Sequence, residues 1–215
     1  MIDVRMFTVG PLQENCFFVR AQDSESAVVV DPGEEPERLL EAQRALGITR
    51  VEAILLTHTH FDHIGAVAPL ARATGAPVYC PEREQQVLAN IMDYVTWPGI
   101  GPFESYQADE LVAGGEVLEL AGVSFDVRFT PGHSPGHVTY AVRDEHALLS
   151  GDVLFQGSVG RVDLPGGDWD TLLASIDSLM SEFGDETVVY PGHMGVTTLG
   201  RERATNPFLR ELAER

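Results

Sequence analysis

A chain of 215 residues with 44% apolar and 8% aromatic side chains can bury a substantial core, in one large domain or two small ones. Its formal charge is −19 and all 14 cations are arginines, so its surface repels phosphate backbones and argues against a nucleic-acid substrate. Apolar runs such as Ala27-Val28-Val29-Val30 are far too short to cross a bilayer, and Met1-Ile2-Asp3-Val4-Arg5 carries no basic-then-apolar signal pattern, so a cytoplasmic protein is expected.

In chain order, strands are expected over residues 4–9, 16–21 and 27–30, with Gly10-Pro11, Gln22-Asp23-Ser24-Glu25 and Asp31-Pro32-Gly33 as stops. A helix over 36–46 has a partly apolar face and Gly47 as its C-terminal cap. A strand over 51–56 leads into a helix over 64–74 closed by Gly75. A strand over 77–80 and a helix over 82–92 follow. Residues 94–103 mix aromatics with helix breakers and form a loop that either lies over a cleft or packs on the body. Strands are expected again at 117–120, 123–129, 138–142 and 147–149. A helix spans 168–183 with Leu172, Leu173, Ile176, Leu179, Met180 and Phe183 on one face. A strand over 187–190 and a terminal helix over 206–215 complete the chain. The order reads as two similar halves within one domain, 1–215, with two packed sheets and helices outside both. Cys16 and Cys80 fall on strands as buried, unreactive thiols and cannot build a disulfide framework.

Between the strand ending at 56 and the next helix lies Thr57-His58-Thr59-His60-Phe61-Asp62-His63. The chain has only 7 histidines, and three of them fall within six positions here. In extended backbone His58, His60 and Asp62 project to one face, and His63 joins them only if the strand stops and the chain turns. Imidazoles and a carboxylate without a thiolate suit zinc, iron or manganese in a reactive site. Three further strand ends place a glycine just before a metal-capable residue: Pro131-Gly132-His133, Ser150-Gly151-Asp152 and Pro191-Gly192-His193. Glycine lets the backbone turn sharply there. His137 is expected to fix its loop through a hydrogen bond, and His146 to be a solvated turn residue.

The pattern His-x-His-x-Asp-His after an apolar strand, with the later histidines and aspartate in order, resembles the metallo-β-lactamase superfamily along the whole chain. The resemblance implies an αββα sandwich of two mixed β-sheets with helices on both outer faces. It implies two divalent metal ions, zinc foremost, with iron or manganese also compatible. One would be held by His58, His60 and His133, the other by Asp62, His63 and His193, with Asp152 between them. Two cations sharing a water lower its pKa and stabilise negative charge on a carbonyl oxygen. Asp62 and Asp152 are therefore the expected catalytic carboxylates, with Asp62 orienting the attacking water.

Within the superfamily the flanks Gly151-Asp152-Val153-Leu154-Phe155, Gly160-Arg161-Val162-Asp163-Leu164-Pro165-Gly166-Gly167-Asp168, Tyr190-Pro191-Gly192-His193, Thr197-Thr198-Leu199-Gly200-Arg201-Glu202 and Asn206-Pro207-Phe208-Leu209 resemble the short, glyoxalase II-like hydroxyacylglutathione hydrolases. His60 stands where flavodiiron proteins carry Glu, and Asp152 where many zinc β-lactamases carry Cys. The branch implies hydrolysis of a small acyl-thioester such as an S-2-hydroxyacylglutathione. Arg161 stands where the family places a basic substrate contact, and an ion pair within the protein is the competing role. A persulfide dioxygenase with one iron, a lactone or ester hydrolase, and a metal-binding regulator without turnover are the alternatives.

Overall fold

The computed structural model describes residues 1–209. Strands β1 (Ile2–Val9), β2 (Glu14–Ala21), β3 (Ser26–Val30), β4 (Arg50–Leu55), β5 (Val78–Pro81) and β6 (Glu110–Val112) form one sheet in sequence order. Its first three strands pair antiparallel and β3 to β6 pair parallel. The second sheet has the order β14-β13-β10-β9-β8-β7, from β7 (Val117–Leu120), β8 (Val123–Phe129), β9 (Val138–Val142), β10 (Ala147–Gly151), β13 (Val188–Pro191) and β14 (Thr197–Thr198). A small ribbon of β11 (Leu154–Phe155) and β12 (Ser158–Val159) stands apart.

Period-two alternation with both faces apolar explains the layers. On β2, Phe17 and Val19 face the second sheet, where they meet Phe125, Val127, Tyr140 and Leu149. Cys16 and Phe18 face outward, against Leu39 of α1 (Pro36–Ala45) and Val67 and Leu70 of α3 (Val67–Thr74). Behind the second sheet, Ala141, Leu148 and Val189 pack on Leu172, Leu173, Ile176 and Leu179 of α6 (Trp169–Glu182). Each such fully buried aliphatic side chain contributes about 1.5–3 kcal/mol. The result is the expected αββα sandwich of two mixed sheets.

Several elements differ from the sequence expectation. The helix expected over 64–74 is two helices, α2 (Phe61–Ile64) and α3, because the Ala66 N–H is drawn away to the Pro32 carbonyl. The helix expected over 82–92 is a 3-10 turn (Glu82–Glu84), α4 (Gln85–Ala89) and α5 (Ile91–Tyr94), interrupted where Asn90 leaves helical geometry at φ −143° and ψ 42°. Asp168 is the cap of α6 rather than part of it, its carboxylate accepting the Thr171 N–H at 2.9 Å. Strands β6, β11, β12 and β14 and helix α7 (Leu199–Thr205) are additions. The terminal helix expected over 206–215 begins instead as a 3-10 turn at Pro207–Leu209, and its remainder lies outside the described residues.

The topology delivers one functional edge. Strands β8 and β10 both run antiparallel to β9, and β13 runs parallel to β10, so three C-terminal ends emerge together. The parallel pair β3 and β4 ends at the same edge: the Val138 N–H donates to the Thr57 carbonyl at 2.8 Å, and the Asn15 N–H to the Gly192 carbonyl at 2.7 Å. Among the described residues no helix is long and apolar enough to cross a membrane.

Candidate metal centre

Beyond β4 the chain bends at Thr57, and His60, at φ −62° and ψ 144°, leads into α2. Nε2 of His58 lies 3.1 Å from Nδ1 of His60, and Nε2 of His133 lies 2.8 Å from the same atom. Three imidazole nitrogens thus converge on one point. The first turn of α2 carries Asp62 and His63 away from that face, so Asp62 does not share the direction of His58 and His60 as an extended chain requires. It gathers instead with His63 and His193. Oδ2 of Asp62 is 3.3 Å from Nε2 of His193 and 4.0 Å from Nε2 of His63.

Asp152 stands between the two groups. Its Oδ2 is 3.4 Å from Nε2 of His133 and 3.6 Å from Nε2 of His193, and its Oδ1 is 3.4 Å from Nε2 of His63. The glycines before these residues do different jobs. Gly151 adopts φ +47°, and a Cβ there would strike Thr57 Oγ1. Gly192 has no unusual φ; a Cβ there would collide with Asp152 Oδ1 and the His63 ring, so its role is clearance.

The groups behind the imidazoles fix their tautomers. Asp31 Oδ1 accepts the Thr57 N–H at 2.8 Å, and its Oδ2 accepts the Thr57 hydroxyl at 2.6 Å. With its proton committed, Thr57 Oγ1 accepts from Nδ1 of His58 at 3.1 Å. Oδ2 of Asp31 also accepts from Nδ1 of His63 at 3.1 Å. The Arg161 carbonyl accepts from Nδ1 of His133 at 2.7 Å. Each assignment leaves the inward Nε2 free to ligate, the arrangement in which outer partners orient metal-binding histidines. His63 Nε2 and Asp152 Oδ1 are buried with no hydrogen-bond partner. Converging lone pairs and buried donor atoms without a hydrogen bond fit a bound cation.

Electrostatics agree. Burial, reinforced by neighbouring imidazoles, holds His58 and His137 well below the ordinary histidine value, and burial with His133 alongside brings His60 to about 4. Burial opposes charge on His63, yet Asp152 and Asp62 hold it well above its usual value; burial likewise opposes charge on His193, which its hydrogen bond to Asp62 and the Asp152 charge hold raised. Burial works against ionisation of Asp152, but the His63 charge keeps its carboxyl well below the carboxylate range.

Metal-free protein is therefore expected to be most stable near pH 6.5. Below that value the unfolded chain binds protons that His58, His60 and His137 refuse when folded, so stability falls as pH drops below about 6.5, for His60 down to about 4. Above it, the stabilisation from protonated His63 and His193 is lost as pH rises through their raised folded values. Melting curves of chelator-treated protein across pH 4.5–8.5 test this; a melting temperature rising steadily through that range contradicts it. Metal loading should reverse the alkaline limb, since ligation requires neutral imidazoles.

Arg161 pairs bidentately with Asp163, at 2.6 and 2.8 Å, so its guanidinium is already engaged and its firm tie to the centre is its carbonyl. His137 fixes its loop as expected, its Nε2 accepting the Asp152 N–H at 3.1 Å and its Nδ1 lying 3.0 Å from Thr130 Oγ1. His146 is exposed and 3.3 Å from Glu186. Cys16 and Cys80 are buried free thiols, and burial pushes both pKa values up, which keeps them as unreactive thiols. The aromatic loop packs on the flank of the ligand loop through Phe61, whose ring lies 5.9 Å from Trp97 and 6.1 Å from Phe103. The cleft of about 500 Å³ beside His193 is lined by Thr8, Leu12, Gln13, Asn15, Phe155 and Met194, not by that loop.

Sequence reasoning missed Asp31, Thr57 and Glu84. Asp31 had a usable signal, since it stands at the end of an apolar strand as His133, Asp152 and His193 do.

An αββα sandwich whose strand ends gather two groups of metal-capable side chains defines a metal-dependent hydrolase of the two-sheet class. The chain belongs to the metallo-beta-lactamase superfamily, whose family model matches residues 9–193. It is 32% identical over 210 residues to hydroxyacylglutathione hydrolase GloC of Haemophilus influenzae, covering 97% of this chain and 98% of that one. It superposes on BLEG-1 B3 metallo-beta-lactamase with a TM-score of 0.90, at 39% identity, covering 96% of this chain and 99% of that one. It also matches TTHA1623, solved in a di-iron-bound form, with a TM-score of 0.84 and 44% identity, covering 95% of this chain and all of the other.

Proposed function

We propose that this chain hydrolyses small acyl-thioesters, S-2-hydroxyacylglutathione or a related thiol ester, at a centre of two divalent metal ions. The observation that carries the reading is the pair of donor groups joined by Asp152, with His63 Nε2 and Asp152 Oδ1 buried and unpartnered. His58, His60 and His133 would hold one ion; Asp62, His63 and His193 the other; Asp152 would face both. Zinc suits this oxygen and nitrogen set, and the di-iron-bound relative makes iron the second candidate.

When bound, such ions supply an acidified water and positive charge for a carbonyl oxygen. The chain's own residues do the rest. Asp62 and Asp152 are held ionised, so each can accept a hydrogen bond from the attacking water and aim it. The cleft beside His193 offers Thr8 and Gln13 as polar contacts and Leu12, Phe155 and Met194 as apolar ones. A thiolate leaves without a proton donor, in keeping with the carboxylate-rich, donor-poor centre.

Metal analysis and turnover on one panel test the proposal: S-lactoylglutathione, other thioesters, a lactone, a β-lactam and glutathione persulfide with oxygen uptake. Two metal ions per chain and preferred thioester turnover are expected. Preferred lactone or β-lactam turnover removes the thioester assignment. One iron per chain with oxygen uptake replaces it with the dioxygenase.

A further inference from the structure

Glu84 closes the 3-10 turn after β5 and is only 4% exposed. Its carboxylate takes three hydrogen bonds. Oε2 accepts the Thr59 hydroxyl at 2.7 Å; Oε1 accepts the Ser134 hydroxyl and the Gly136 N–H, both at 2.7 Å. Thr59 lies between His58 and His60, while Ser134 follows His133 directly. All three donors belong to the two loops that bring the three imidazoles together. The fit is close, since a Cβ on Gly136 would sit 2.6 Å from Glu84 Cγ.

We propose that Glu84 is a positioning residue for the three-histidine site, acting as a clamp that sets His58 and His60 against His133. The inference rests on the metal-centre reading above. Ligand loops must be held within about 0.5 Å of the productive geometry, and β4 and β8 supply their loops from different sheets. A carboxylate with one oxygen on each loop ties them directly. A buried acid that only stabilised the fold has no reason to draw every partner from those two loops.

The test is cobalt(II) titration of metal-free protein against a competing chelator, with the melting temperature of the metal-free form measured alongside. Glu84→Ala is expected to weaken cobalt binding by about 10–100-fold, the usual effect of losing an outer partner of a metal site. Glu84→Asp, one methylene shorter, should weaken it similarly because one carboxylate no longer spans both loops. Glu84→Gln should stay within about threefold of the unaltered chain, since its carbonyl can accept from Ser134 and Gly136 while its amide donates to Thr59. Lower melting temperatures with unchanged cobalt affinity would overturn the proposal in favour of a purely structural role. So would a Glu84→Gln protein as weak as Glu84→Ala, which would point to charge rather than position. If Glu84→Ala does not fold, the Gln and Asp pair decides the question. Absence of cobalt binding by the unaltered chain would instead bring down the metal-centre reading itself.

Discussion

Asp152→Ala is expected to slow hydrolysis of the substrate that the unaltered chain turns over by about 10³-fold and to lower the metal content. The magnitude follows from the position of the carboxylate. It lies within 3.6 Å of the inward nitrogens of His63, His133 and His193, so it faces both donor groups. Losing a single preorganised electrostatic group at a reacting centre costs about 10²–10³ in rate, and Asp152 also carries a ligand's share of charge. The fold should survive the change. The Asp152 N–H keeps its bond to His137 Nε2, and Gly151 still supplies the turn. Circular dichroism, metal content and kcat/KM on one preparation separate the outcomes. Full metal content with full activity would remove Asp152 from the centre.

The sequence revealed the donors far better than their supports. Strands β7, β8 and β9 match expectation residue for residue, because period-two patterning between turn residues is a local signal. His58, His60, Asp62, His63, His133, Asp152 and His193 stood out because histidine is scarce and glycine precedes three of them. Glu84 had no such mark among 33 acidic residues. Its importance comes from partners 25, 50 and 52 positions away, which only the folded chain brings near. The same holds for the break between α2 and α3. Gly65 and Ala66 look helical in isolation, yet Gly65 packs so closely on the Gly33 carbonyl and Phe103 that a Cβ has no room, and Ala66 bonds to Pro32. Two-residue strands such as β11, β12 and β14 carry no periodicity to read.

Asp31→Asn, a change of one atom outside the donor set, should weaken binding in both halves of the centre by about 10–100-fold each. Asp31 has φ 47°, a conformation asparagine tolerates, so the backbone can stay. The Thr57 N–H requires an acceptor, which fixes the new amide with its oxygen there and its NH₂ where Oδ2 was. That NH₂ now donates to the two atoms that Oδ2 served as an acceptor, Thr57 Oγ1 and His63 Nδ1. His63 must then accept at Nδ1 and carry its proton on Nε2, the atom that faces Asp62 and Asp152. Thr57, no longer donating to a carboxylate, turns its proton toward His58 Nδ1, and His58 too is driven to protonate Nε2. One imidazole in each donor group thus presents a hydrogen where a metal needs a lone pair. Asp31→Ala cannot give this result cleanly, because it strands the buried Thr57 N–H and destabilises the loop. The decisive comparison is zinc or cobalt affinity of Asp31→Asn against the unaltered chain, with the metal-free melting temperature as control. Equal affinities would show that Asp31 does not set the tautomers; a loss of affinity with a melting temperature shifted by only a few degrees would show that it does.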